Sequence, residues 1–157
     1  MRPRDVYDNA TPSGNSAATL ALLRLADLTG EERFRSVAER VLTRFADGLS
    51  RFPGAFSHLL TALDRFLAVP QEVAIVGRPG DEDTEALLRV VRGAYLPNTA
   101  VALRGPDHAA EVEEIVPLLR DRPAVEGRAT AYVCQRFTCQ RPVTAPADLA
   151  WQLGVEE

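Results

Sequence analysis

The chain has 157 residues, 46% hydrophobic and 25% charged, with a formal net charge of −4, a composition that suits one ordinary globular domain or two small ones. The acidity sits in residues 71–157, where 14 acids face 9 arginines, and no basic run exists to neutralise phosphates, so a nucleic-acid partner is excluded. Charges break every apolar run well short of the roughly 20 residues that cross a bilayer, which excludes a membrane-spanning role.

In chain order, Met1-Arg2-Pro3-Arg4-Asp5 comes first, with no apolar stretch behind it to make a secretory signal. A cytoplasmic location is therefore expected. All 18 basic residues are arginine and 23 residues are alanine, which reads as the bias of a GC-rich bacterial genome. Asp8-Asn9-Ala10-Thr11-Pro12-Ser13-Gly14-Asn15-Ser16 then crowds polar groups before an Ala/Leu run. Asp8-Asn9 favours a turn, Pro12 keeps Thr11 extended, and Ser13 or Asn15 caps the helix that follows. One cap uses one side chain, so Asp8 and Asn9 are left to face outwards. From Ser16 to Leu28 the helix is apolar nearly all round and is expected to be buried on every side. Thr29-Gly30-Glu31-Glu32 ends it and offers a Thr-x-x-Glu capping box to the next helix. That helix carries Phe34, Val37, Ala38, Val41, Leu42 and Phe45 as one apolar stripe. A third, from about Ala55 to Leu67, repeats the stripe with Phe56, Leu59, Leu60, Leu63, Phe66 and Leu67.

Pro70 marks a change of period. Glu72 to Gly77 reads as a short apolar strand; Asp81 or Asp83 caps a helix reaching about Ala94. Thr99 to Leu103 is a second strand, and a helix from about His108 to Leu119 is kinked or shortened by Pro117. Ala129 to Cys134 is a third strand, and Ala147 to Leu153 makes a last helical turn or two. Strands alternating with helices imply βαβ units. The expected fold is thus mixed: N-terminal helical hairpins over residues 1–69, then a small α/β segment over residues 70–157 with a mainly parallel three-stranded sheet.

Few residues point to chemistry. The strand-to-helix loop Gly77-Arg78-Pro79-Gly80-Asp81-Glu82-Asp83 could seat an anion, but Asp81, Glu82, Asp83 and Glu85 crowd the helix start and repel phosphate. The motif is no recognised nucleotide fingerprint, and a well-capped helix is the plainer account. Cys134 and Cys139 form a C-x4-C pair that lacks third and fourth ligands for zinc. A tight turn would bring the sulfurs within bonding range, but a reduced structural pair is expected in a cytosol. His58 reads as a boundary histidine and His108 as an exposed first-turn residue, with no nucleophile at motif spacing. No metal and no cofactor is expected.

Asp-Asn-Ala-Thr-Pro-Ser-Gly-Asn-Ser (8–16) with Leu-Thr-Gly-Glu (28–31), Glu-Val-Ala-Ile-Val-Gly (72–77), Tyr-Leu-Pro-Asn (95–98) and Ala-Tyr-Val-Cys-x4-Cys-x-x-Pro-Val-Thr (131–144) occur in this order. In them the chain resembles the last part of the thioredoxin-domain-containing proteins known as spermatogenesis-associated thioredoxin-like. The resemblance implies the closing helices of an (α/α) toroid of the six-hairpin glycosidase type, followed by a terminal α/β segment. It also implies that Cys134 and Cys139 do not correspond to a thioredoxin active-site pair. A carbohydrate-directed role of epimerase, isomerase or hydrolase type follows from the toroid, with Asp8, Asn9, Ser13 and Asn15 on the rim of a sugar pocket. Three helices cannot close such a toroid, so self-association or a partner chain is expected through residues 16–67. The alternative is a non-catalytic structural or protein-interaction module.

Overall fold

A computed structural model describes residues 5–107, 109–135 and 138–155. The chain separates into two compact units, Met1–Val69 and Pro70–Glu157.

The first unit is helical. Helix α1 (Gly14–Thr29) packs against both α2 (Glu32–Arg44) and α4 (Ser57–Leu67), while the short α3 (Ala46–Arg51) and a 3-10 turn at Pro53–Phe56 link α2 to α4. Leu20, Leu23, Ala38, Leu42, Leu49, Phe56, Leu59 and Ala62 form its core. The stripe on α2 therefore faces inwards as its spacing requires, at Ala38 and Leu42. Gly48 is needed where α3 meets the 3-10 turn, because a Cβ there would lie 2.8 Å from the Phe56 ring.

Two local expectations fail. Helix α1 is not buried all round: Ser16, Thr19, Leu20 and Leu23 are buried, a single i, i+3, i+4, i+7 face, while Ala17, Ala18, Ala21 and Leu25 are exposed. Two neighbouring helices can cover only that one stripe. The capping box does not form either, since Thr29 Oγ1 donates back to Leu25 O and accepts the N–H of Glu31 instead. Glu31, whose side chain caps nothing, is the residue before α2, and Gly30 closes α1 with a φ of 69°.

The second unit is built on four strands in the order β2-β1-β3-β4: β1 (Gln71–Val76), β2 (Thr99–Arg104), β3 (Thr130–Gln135) and β4 (Thr138–Cys139). Only β1 and β2 run parallel; β3 is antiparallel to β1, and β4 to β3. The expected mainly parallel three-stranded sheet is thus wrong in both strand number and direction. The cause lies in the connections. Helix α5 (Glu82–Gly93, 12 residues) rises about 18 Å, close to the roughly 20 Å length of a six-residue strand, so it can return the chain to the starting edge of the sheet. Helix α6 (Ala109–Ile115, 7 residues) rises only about 10 Å. It stops before the 3-10 turn at Pro117–Leu119, and the chain reverses near the end where β1 and β2 finish. Asp121, Glu126 and Gly127, all at positive φ, make that reversal, and Thr130 enters opposite Val76.

Central strand β1 is covered on both faces, which explains its continuous Val-Ala-Ile-Val. Val73 and Ile75 join Ala131 and Val133 of β3 against Leu87 and Leu88 of α5 and Leu149 and Leu153 of α7 (Pro146–Leu153). The 3-10 turn, with Leu118 and Leu119 buried, also packs on β1 and β2. At the far edge, register sets Cys134 opposite Cys139 and the two are joined as a disulfide. The expectation of a reduced pair is corrected accordingly: two-residue β4 folds back directly onto β3. Arg136 and Phe137 between them, and His108 with its expected first-turn position, lie outside the described residues.

Candidate functional site

The polar loop before α1 brings together the residues singled out in the sequence, with their local roles rearranged. Ser13, 3% exposed, is the N-cap: its Oγ accepts the N–H of Ser16 at 3.2 Å and shares a 2.8 Å hydrogen bond with Ser16 Oγ. Asn15 is not the cap. It lies in the first turn with its side chain exposed, and its backbone carbonyl accepts Thr19 Oγ1 at 2.7 Å. Asn9 is exposed too, its N–H closing a turn onto Thr11 O at 3.1 Å. Removing the cap by Ser13→Ala is expected to cost about 1 kcal/mol. Urea unfolding would measure it, and an unchanged midpoint would mean another group caps α1.

Asp8 is the correction. Sequence reasoning leaves it facing a pocket, yet it is 7% exposed and its carboxylate is fully engaged behind the loop. Oδ1 accepts the N–H of Ser13 at 2.7 Å; Oδ2 accepts those of His58 and Leu59 at 2.9 and 3.2 Å. The last two donors open α4, so Asp8 does for that helix from fifty residues away what a local cap would do. Its own N–H donates to Ala55 O at 2.8 Å. Burial pushes the Asp8 pKa up, but the backbone donor of Ser13, the Ser16 hydroxyl and the donors of Leu59 and His58 together hold it below the ordinary carboxylate value. His58, half-buried, takes part through its backbone.

In front of Asp8 the loop surrounds a polar cleft of about 440 Å3, lined by Tyr7, Asn9, Thr11, Ser13 and Asn15, with Asp5 at its edge. Neither side-chain amide, of Asn9 or Asn15, is engaged by another described residue. Tyr7 is 55% exposed and held edge-on against Phe56, ring centroids 5.4 Å apart. So three of the four sequence candidates meet at one cleft and the fourth supports it. Tyr7 was missed because a single aromatic ahead of a turn carries no pattern. Such a site, with amides that both donate and accept and one exposed ring, can bind a neutral polar ligand. Among the described residues no group of three or more His, Cys, Asp or Glu gathers as a metal would require, and no helix is long and apolar enough to cross a membrane.

The chain is 34% identical over 149 residues to spermatogenesis-associated protein 20 of Rattus norvegicus and 32% identical to that of Homo sapiens, in each case over 95% of this chain and 19% of the relative. An uncharacterised protein of Caenorhabditis elegans is 28% identical over 158 residues. The match lies in the C-terminal part of the mammalian proteins, so the chain is similar to the C-terminal portion of that family and spans about a fifth of its relatives' length. No family model matches, and no solved structure does. The bacterial origin read from the arginine and alanine bias is overturned, because these relatives are eukaryotic. Codon-driven composition does not report lineage.

Proposed function

We propose that residues 5–15 form part of the rim of a carbohydrate-binding pocket within a longer protein, with Asn9 and Asn15 contacting the ligand, Tyr7 packing beneath it, and Asp8 positioning the loop. In this reading the helical unit is the closing part of an (α/α) toroid, and the cleft at residues 5–15 engages one sugar unit on its own. The observation that carries it is the polar cleft backed by the hydrogen-bonded Asp8, with two unengaged amides and an exposed ring. A sugar offers hydroxyls to amides and a C–H face to an aromatic ring, and it needs no strong charge, which suits a cleft with Asp5 as its ionisable acid. Rigid support behind the contacting groups is what a binding site requires, because a loose rim loses affinity to ordering.

The test is saturation-transfer NMR of the protein with a panel of neutral hexoses and N-acetylhexosamines. At least one sugar should receive magnetisation. Asn9→Ala/Asn15→Ala should abolish the transfer and leave the circular dichroism unchanged. Transfer to no sugar, or transfer that survives in the double variant, refutes the assignment.

A second reading has its own support. Ala17, Ala18, Ala21 and Leu25 leave one face of α1 exposed, and a groove of about 460 Å3 lined by Leu42, Leu49, Leu60, Leu63, Phe66 and Leu67 runs along the helical unit. Such surface favours an assembly module that engages a partner or a second copy through residues 16–67. Sedimentation at rising concentration separates the readings: a persistent monomer that still binds sugar leaves only the first.

A further inference from the structure

A second cleft, of about 400 Å3, lies in the other unit at the carboxyl ends of β1 and β2, and it is the kind of place where open α/β sheets hold ligands. Val76 and Arg104, paired in register, end the two strands. The reversal before β3 closes the third side through Ala124, Gly127 and Arg128. Local sequence argues against an anion here, with four acids at the start of α5, but the fold changes that balance. Glu82 and Glu85 do not line the cleft, and Glu85 pairs with Arg92 at 3.2 Å. Asp83 is occupied as a brace, Oδ2 accepting the N–H of Ala129 at 2.7 Å and Oδ1 that of Thr84 at 2.8 Å. That leaves the carboxylates of Asp81 and Asp83, the latter held ionised by its backbone donors and by Arg128, against three guanidinium groups, Arg78, Arg104 and Arg128, of which Arg104 is already paired with Glu113. Arg78 meets Asp107 only at 3.5 Å with both side chains more than half exposed, so water and salt compete freely for that pair.

Two buried polar atoms on the cleft wall have no partner among the described residues. One is Thr84 Oγ1, on a residue with no exposed surface; the other is Arg104 Nε, whose Nη1 and Nη2 are held by Glu113 and by Arg122 O. Buried groups of this kind ordinarily find a hydrogen bond. Thr84 Oγ1 packs beside Gly77 at the exit of β1, where a Cβ would stand 2.4 Å from the oxygen and 2.9 Å from the Ala129 methyl, so glycine at 77 makes room for the hydroxyl itself.

We propose that this cleft binds an oxyanion, the carboxylate or phosphoryl group of a small molecule, held by Arg78 and Arg128 and completed by the Thr84 hydroxyl and Arg104 Nε. This site is separate from the polar cleft of the helical unit, and its fate does not depend on the sugar reading. The experiment is isothermal titration calorimetry of the whole chain with sodium orthophosphate and, in a parallel arm, sodium malonate, each against sodium chloride at equal ionic strength. One anion should bind with unit stoichiometry and weaken as salt is added; the arm that responds tells a tetrahedral phosphate from a planar carboxylate. Arg128→Gln, a change at an exposed position, should weaken binding about tenfold, the loss of one charge-assisted hydrogen bond. Thr84→Val, which keeps the shape and removes the hydroxyl, should weaken it several-fold. No heat with either anion up to about 10 mM, or binding unchanged in both variants, overturns the proposal. A Thr84→Val protein that melts higher and binds as before shows the hydroxyl to be a tolerated defect and also overturns it.

Discussion

Replacing either partner of the Asp27–Arg65 pair should unfold the helical unit most readily of any single change considered. Arg65 Nε and Nη2 reach Asp27 Oδ2 at 2.9 and 2.5 Å, with the side chains only 4% and 8% exposed. The pair ties α1 to α4 at the end of the unit remote from the Asp8 loop. Asp27→Ala leaves a guanidinium buried beside an empty site, and Arg65→Ala does the same to a carboxylate. Each is expected to cost about 3–5 kcal/mol, the usual result of breaking a buried ion pair from one side. For a unit of this size each kcal/mol corresponds to about 4–8 °C, so the melting transition should fall by at least about 12 °C. Asp27→Leu/Arg65→Met, which removes both charges and keeps volume, should recover most of it. A shift of only a degree or two in the single variants would show that the bridge is not closed in solution.

Asp8→Ala is expected to come next. The substitution strands three backbone N–H groups, those of Ser13, His58 and Leu59, where little water reaches. One unsatisfied buried donor costs about 1–3 kcal/mol, and partial relaxation of the loop brings the expected total to about 3 kcal/mol. That exceeds the cap loss at Ser13, the reverse of what an exposed rim carboxylate would give. The pH dependence carries the same signature. Because the folded pKa of Asp8 is lowered, its contribution is fully present above the unfolded value of about 4 and is lost as pH falls through the folded value. Asp8→Asn should flatten that acid limb, since an amide offers one acceptor oxygen and does not ionise in this range. Guanidinium unfolding of both proteins between pH 2 and pH 7 measures this, and parallel stability curves would remove Asp8 from the account.

What was legible in the sequence follows the range of each interaction. Periodic stripes and strand runs are local, so α2, α4, β1, α5 and β2 emerge within a few residues of their bounds. Ser13 as cap was one of two local options. The direction of β3 was not legible from its own residues, because it depends on the span of α6 compared with a strand. Two-residue β4 has no period at all, and α3 hides behind the end of the α2 stripe. Asp8 was misread for the same reason: two of its three donors lie fifty residues away. Arg104 and Arg128 meet Arg78 only after the sheet is formed.

The proposed rim at residues 5–15 is held from behind by Asp8 and offers Asn9, Asn15 and Tyr7 to a sugar. The most direct measurement is a site-resolved NMR titration with whichever sugar shows saturation transfer, following side-chain amide and aromatic signals. The expected result is that the Asn9 and Asn15 amide protons and the Tyr7 ring shift together and saturate with one dissociation constant, while signals of residues 70–157 stay still. Shifts largest in residues 70–157, or a loop whose amides do not move, would contradict the account.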